Sequence, residues 1–213
     1  MRTRSEELFE RFCSENSIPF QVISTVGEEK TPDYELQVAR YSIAVEVKQL
    51  DTENEPWKEG EVKSGSTTPG DHIRRKINKA GPQLRARAAA GQPSILVIYN
   101  NIYRGICIHS EPYDFLVAMY GLQNIVLGVP EVGPPYIKGQ RFGPQRKMTD
   151  TTNTSFSALA HLREKKDERL FLDVFHNAHA AIPLDPILLT GDNISHFAIP
   201  RGSVEFKEWE RIR

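Results

Sequence analysis

Asp33, Glu46 and Lys48 are the residues of this chain whose types and spacing could do chemistry. Pro32 and Asp33 open the stretch PDYELQVA, and Glu46, Val47 and Lys48 lie inside YSIAVEVKQL. Along a strand successive side chains alternate faces, so Glu46 and Lys48 point one way while Val45 and Val47 point the other. A carboxylate and an ammonium on an otherwise apolar strand are costly to bury unless they pair with each other or with a metal. Asp33 precedes Glu46 by 13 residues, and an antiparallel return brings it alongside Glu46 at the sheet end. Two carboxylates on rigid strands offer hard oxygen ligands for Mg²⁺ or Mn²⁺, ions that bind few protein carboxylates and keep waters for substrate and nucleophile. A neighbouring lysine can stabilise negative charge developing on a phosphate or lower the pKa of the attacking water. Such a set is equipped for metal-assisted hydrolysis of a phosphodiester.

The elements that must position these groups can be read around them. SEELFERFCSEN carries Leu8, Phe9, Phe12 and Cys13 at helical spacing, with Ser5 as the expected N-cap. FQVISTV alternates like a strand. TPDYELQVA and YSIAVEVKQL form an expected hairpin through Ala39 and Arg40. Asp51 to Gly70 is polar and rich in Gly, Ser, Thr and Pro, which reads as a long loop beside a working site. A basic helix is expected from about Asp71 to Ala90, kinked or broken at Pro82, followed by PSILVIYN as a buried central strand. Farther on, PYDFLVAMYG reads as a helix ended by Gly121 and GVPEVGPPYIKGQRFGPQRK as loop. SFSALAHLRE is open between strand and helix, RLFLDVFHN reads as a strand, and FAIPRGSVEFKEWERIR as a polar tail with one short strand. The expected class is α/β or α+β, three layers with a mixed central sheet flanked by helices. One domain is expected over residues 1–213, with residues 5–100 as its core and 101–213 as its elaboration.

With Pro32 and Asp33 as its PD and Glu46, Val47 and Lys48 as its (D/E)XK, the N-terminal half from about Ser5 to Asn100 resembles the PD-(D/E)XK nuclease superfamily, the restriction-endonuclease-like fold. The resemblance implies a Mg²⁺- or Mn²⁺-dependent nuclease, with DNA favoured over RNA on the superfamily's habits alone. It implies that Asp33, Glu46 and the backbone carbonyl of Val47 hold the metal and that Lys48 serves the water and the transition state. An acid from the first helix would join them: Glu6, closest to the buried face, is favoured, with Glu10 second. Some members place a glutamine on the later helix near the site, which makes Gln83 a candidate and Gln49 a weaker one. Many relatives dimerise to cut both strands, so a homodimer is an expectation of the family, although the sequence shows no dimer seam.

Charge and composition narrow the alternatives. The chain has 213 residues, 39% of them hydrophobic and 26% charged, and a formal net charge of −1, which excludes a bulk polycation that coats nucleic acid. The charge is uneven, however. Arg74, Arg75, Lys76, Lys79, Arg85 and Arg87 lie between His72 and Arg87 with no acid among them, and Lys138, Arg141, Arg146 and Lys147 form a second such patch. Both are candidates for contact with nucleic-acid phosphates. No apolar run is long enough to span a bilayer, and the charged N-terminus has no secretory pattern, so a cytoplasmic protein with no membrane contact is expected. Cys13 and Cys107 read as buried thiols. Residues 65–70 have glycine spacing suited to a phosphate loop, but Asp71 and His72 stand where Lys and Ser or Thr are needed. Of His176 and His179, one reads as a polar contact and neither as a metal ligand. The rival expectations are a non-catalytic nucleic-acid-binding or assembly module of the same fold, and a metal-dependent small-molecule phosphodiesterase on another α/β fold.

Overall fold

A computed structural model describes residues 2–24, 30–51, 68–102, 109–202 and 205–213. Most of the expected polar loop, Trp57 and Cys107 lie outside them. Helix α1 (Arg4–Glu15) starts two residues earlier than Ser5 would place it. Thr3 is the N-cap, its hydroxyl accepting from the Glu6 N–H while the Glu6 carboxylate accepts from the Thr3 N–H. That reciprocal pair satisfies two donors that have no partner inside the helix. Ser5 is instead buried.

The strands are β1 (Phe20–Val22), β2 (Tyr34–Val38), β3 (Tyr41–Leu50) and β4 (Ser94–Asn100), with α2 (Asp71–Ala89) between the last two. Then come α3 (Pro112–Tyr120), the ribbon β5 (Gln123–Gly128) and β6 (Tyr136–Phe142), and β7 (Ala158–Glu164), β8 (Leu170–His176), β9 (Ile194–Ala198) and β10 (Glu210–Arg211). One mixed eight-stranded sheet runs β1-β2-β3-β4-β7-β8-β9-β10, so strands from both halves of the chain share a single ladder. β3, β4 and β7 are mutually parallel at its centre, and β4 is buried along its whole length, as its unbroken apolar sequence requires.

The sheet has a helix layer on each face. Leu8, Phe9, Phe12 and Cys13 of α1 pack on Ile43, Val45 and Val47 of β3 and on Val97 and Tyr99 of β4. On the other face Ile73, Ile77, Ala80 and Leu84 of α2, with Phe115 and Met119 of α3, cover Ala44, Leu50, Leu96 and Ile98. Each fully buried Leu, Ile or Phe contributes about 2 kcal/mol from burial alone.

α2 runs through Pro82 without a break. Proline removes the N–H that the Asn78 carbonyl would receive, and Asn78 is exposed, where solvent can take its place. The helix starts at Gly70, whose φ of 79° suits glycine and whose missing Cβ would fall 2.7 Å from the Asp114 carbonyl oxygen. The Gly70 N–H donates to the Asp114 carboxylate at 2.9 Å, locking α2 onto α3.

Within the expected loop GVPEVGPPYIKGQRFGPQRK, Tyr136–Phe142 is instead strand β6, paired with β5 in a two-stranded ribbon. Its Pro and Gly residues cluster between Gly128 and Tyr136 and mark the turn, while the flanking β-prone residues pair. SFSALAHLRE resolves to a strand, β7, because its apolar residues insert between β4 and β8. Among the described residues no helix is long and apolar enough to cross a membrane.

Candidate functional site

The site is built by the β2–β3 register. Tyr34 pairs with Val45 as the last rung toward the start of β2, so one step beyond it Asp33 stands opposite Glu46. Residues opposite each other in an antiparallel pair share a face. Since Val45 and Val47 pack under α1, Asp33, Glu46 and Lys48 belong to the α2 side. The two-residue turn at Ala39 (φ 54°) and Arg40 sets this register; a slip of one residue would send Glu46 into the α1 core.

Three contacts tie the group together. Asp33 Oδ2 accepts from the Val47 N–H at 2.8 Å, Lys48 Nζ pairs with Glu46 Oε1, and the same ammonium lies 3.8 Å from Asp33 Oδ2. One cation therefore faces both carboxylates. Glu46 is only 1% exposed, and its second oxygen, Oε2, is buried with no hydrogen-bond partner among the described residues. Leaving such an oxygen unsatisfied costs about 1–3 kcal/mol. Burial, reinforced by repulsion from the Asp33 carboxylate, pushes the Glu46 carboxyl up to about 7 in spite of Lys48 and of the Asp33 backbone N–H, both of which favour the charged form. Burial also raises the Asp33 carboxyl, against the pull of the Val47 N–H and Lys48. Two carboxylates held close, short of positive charge and with one oxygen unsatisfied, form a site whose deficit a small divalent cation can meet. Mg²⁺ and Mn²⁺ fit this donor set, because they take one or two protein carboxylates and fill their remaining positions with water.

The first helix contributes less directly than expected. Glu6 is engaged by its cap to Thr3, and it touches the site electrostatically, as one of the groups that raise Asp33. Glu10 accepts from the Tyr34 hydroxyl at 2.9 Å and pairs with Arg2. Among the described residues no three His, Cys, Asp or Glu side chains come together as a metal-binding group, so the carboxylate set is the pair Asp33 and Glu46. Gln49 accepts from the Ser5 N–H at 3.0 Å and fastens the start of α1 to the end of β3. Gln83 turns its amide back to the Lys79 and Ala80 carbonyls of its own helix.

The basic residues divide by burial. Arg74 is 5% exposed and its guanidinium is consumed by Asp71, the Val117 carbonyl at 3.0 Å and the Gln145 carbonyl at 3.2 Å, so it serves as a strut between α2, α3 and the 145 loop rather than as an exposed phosphate contact. Arg75, Lys79 and Arg85 are exposed, Lys76 is half-buried, and Arg87 pairs with Glu35. Arg75 and Lys147, from the two separate basic patches of the sequence, line one cleft of about 640 Å³ with Asn78, Thr68 and Gln145. Sequence reading missed Asn78 and Thr68, which carry no charge or spacing signal. It also missed that the patches meet, since they lie some seventy residues apart. His176 Nε2 lies 2.8 Å from His196 Nδ1, a polar contact as expected, but with a partner no local pattern could name.

Compared with protein-family models, with curated proteins and with solved structures, the chain has no match.

Proposed function

We propose that this protein is a Mg²⁺- or Mn²⁺-dependent nuclease built on a restriction-endonuclease-like core, with DNA as its favoured substrate. The observation that carries the reading is the buried Oε2 of Glu46, unsatisfied among the described residues, beside Asp33, with Lys48 facing both carboxylates. A buried pair kept only for stability would satisfy both of its oxygens. The order of helix, strand, hairpin, helix and central strand through residue 100 also supports it, being the order the resemblance implies.

In this reading Asp33 and Glu46 hold the cation, Asp33 being fixed by the Val47 N–H. The bound cation would polarise the phosphate and acidify a water. Glu46 must shed its proton to bind metal, so metal and proton compete for the same carboxylate. Lys48 keeps a positive charge where the phosphate gains negative charge in the transition state. Arg75 and Lys147, with exposed Lys79 and Arg85, supply cations for the nucleic-acid backbone.

The test is a Mg²⁺/Mn²⁺ cleavage panel over linear, circular and single-stranded DNA and RNA. Divalent-dependent nicking of plasmid is expected, lost in Glu46→Ala with DNA binding retained. Full activity in EDTA would overturn the metal assignment. Binding with no cleavage under any condition would leave the fold as a nucleic-acid-binding module.

A further inference from the structure

Beside the cleft of Arg75 and Lys147 lies a second recess, and one stretch of chain is a wall of both. Gln145 and Lys147 line the cleft, whereas Arg146 and Met148 line the recess, which holds about 730 Å³. Small-molecule sites run from roughly 300 to 1,000 Å³. The floor of the recess is apolar: Tyr120, Phe142, Met148 and Ile199 line it, and each is less than a tenth exposed. It is also held in place. The Tyr120 hydroxyl donates to the His176 carbonyl at 3.0 Å and accepts from the Ala178 N–H at 3.0 Å, so its polar end is satisfied within the protein.

The rim is cationic. Arg146, His179 and Arg201 line it, with Asp150 as the one acid among the described residues that do so. None of these four forms an ion pair within the described residues, and neither the His179 ring nitrogens nor the Arg201 guanidinium has a hydrogen-bond partner there. Arg146 donates from Nε to the Gly143 carbonyl at 3.0 Å and from Nη2 to the Phe142 carbonyl, which fixes the plane of its guanidinium and leaves Nη1 for a ligand. Cations gathered at one rim repel one another, and an anion between them removes that cost. A phosphomonoester carries a charge of about −1.5 to −2 and three strong acceptor oxygens, and guanidinium forks match its geometry. A bare phosphate would leave the apolar floor uncovered. Aromatic rings and a thioether suit a planar apolar body, and Thr149 and Thr154, which also line the recess, offer hydroxyls suited to a sugar.

We propose that this recess binds a nucleoside monophosphate, its phosphate held by Arg146, Arg201 and His179 and its base laid on Tyr120, Phe142, Met148 and Ile199. The same chemistry has two sources, a free nucleotide and the phosphorylated end of a strand lying in the adjoining cleft. The choice of a nucleotide over another aromatic phosphate rests on the nuclease reading of that cleft. The recess is separate from the carboxylate pair: Glu46 is on β3 and His179 follows β8, three strands away in the sheet, on the order of 14 Å across it.

Isothermal titration of the full chain in EDTA tests the recess without metal at Asp33 and Glu46. Deoxyadenosine monophosphate is expected to bind with a Kd of about 10–100 μM, the affinity usual for a ligand of its size. Deoxyadenosine and inorganic phosphate should each bind at least about 10-fold more weakly, since each leaves half of the recess unused. Arg201→Ala should weaken binding at least about 10-fold with melting unchanged, because the side chain it removes bonds to nothing in the described residues. Glu46→Ala should bind the nucleotide as the parent does. Displacement of the nucleotide by a 5′-phosphorylated single strand but not by its 5′-hydroxyl form would identify a strand end as the occupant, and displacement by neither would identify the free nucleotide. Displacement by both alike would place an internal phosphodiester in the recess and overturn the proposal. No binding up to about 5 mM, inorganic phosphate as tight as the nucleotide, or indifference to Arg201→Ala would overturn it too. Absent nucleotide binding with plasmid nicking intact strikes the recess alone, and nucleotide binding by a protein that never nicks strikes the nuclease reading alone.

Discussion

Replacing Glu46 with Gln should make the metal-free protein more stable at pH 8, an unusual outcome for altering a buried residue. The Glu46 carboxyl is held up at about 7 against an ordinary value of 4.5, so between those pH values the folded protein keeps a proton that the unfolded chain has released. Stability from this group is therefore greatest in acid and falls as pH rises from about 4.5 through about 7. At 1.36 kcal/mol per pH unit the ionised carboxylate costs about 3 kcal/mol at pH 8, an amount that already includes its attraction to Lys48. Gln reproduces the neutral acid imperfectly, so a gain of about 2–3 kcal/mol is expected, or roughly 5–10 °C in a chain of this size. At pH 5, where the parent holds its proton, the gain should nearly vanish. Thermal melts of both proteins in EDTA at pH 5 and pH 8 read this directly. Repeating them with about 10 mM Mg²⁺ should stabilise the parent at pH 8 by roughly 1–2 kcal/mol for a millimolar site and leave Glu46→Gln unmoved. A variant less stable than the parent at pH 8, or equally stabilised at both pH values, would refute the reasoning that Glu46 is a buried charge waiting for a cation.

Lys48→Ala should lower plasmid nicking by at least about 100-fold, the usual loss when one preorganised charge is removed. Its circular dichroism should stay unchanged, because the Lys48 side chain is a quarter exposed. Arg74→Ala should cost about 1–2 kcal/mol of stability, seen as a lower urea midpoint, since it removes the hydrogen bonds that tie α2 to the Val117 and Gln145 carbonyls. Arg75→Ala/Lys147→Ala should leave melting unchanged and reduce the salt slope of DNA binding by roughly 1–2. His161 is buried, and desolvation, with repulsion from Arg163, pulls its pKa down to about 3. The unfolded chain then takes up a proton the folded state refuses, so stability is lost as pH falls from 6.5 toward 3. His161→Gln should flatten that acid limb in pH-dependent melts, opposite in sign to the Glu46 effect.

Much of the N-terminal half was legible because its signals are local. Leu8, Phe9, Phe12 and Cys13 repeat at helical period and are buried together. The hairpin turns at Ala39 and Arg40 as its apolar alternation requires, and SILVIYN is a buried strand because nothing polar interrupts it. The misses have equally local causes. Thr3 displaced Ser5 as the cap because Thr3, not Ser5, stands three residues before Glu6 and completes the reciprocal bond. Proline and glycine in the 128–136 turn obscured the strands on either side of it. SFSALAHLRE has no period of its own, and its neighbours β4 and β8 decide that it is a strand.

The sequence by itself determined that Asp33, Glu46 and Lys48 would share one face of a hairpin, because strand alternation and a two-residue turn depend only on near neighbours. It also determined which side chains are apolar enough to build the layers. Only the tertiary structure decided how those charges are satisfied. Packing α2 and α3 over the sheet removed water from Glu46 and left Oε2 without a hydrogen-bond partner among the described residues, turned Arg74 from a surface cation into a strut, and brought Lys147 beside Arg75. Desolvation and long-range pairing depend on what lies across space, and spacing along the chain does not encode that in any short window.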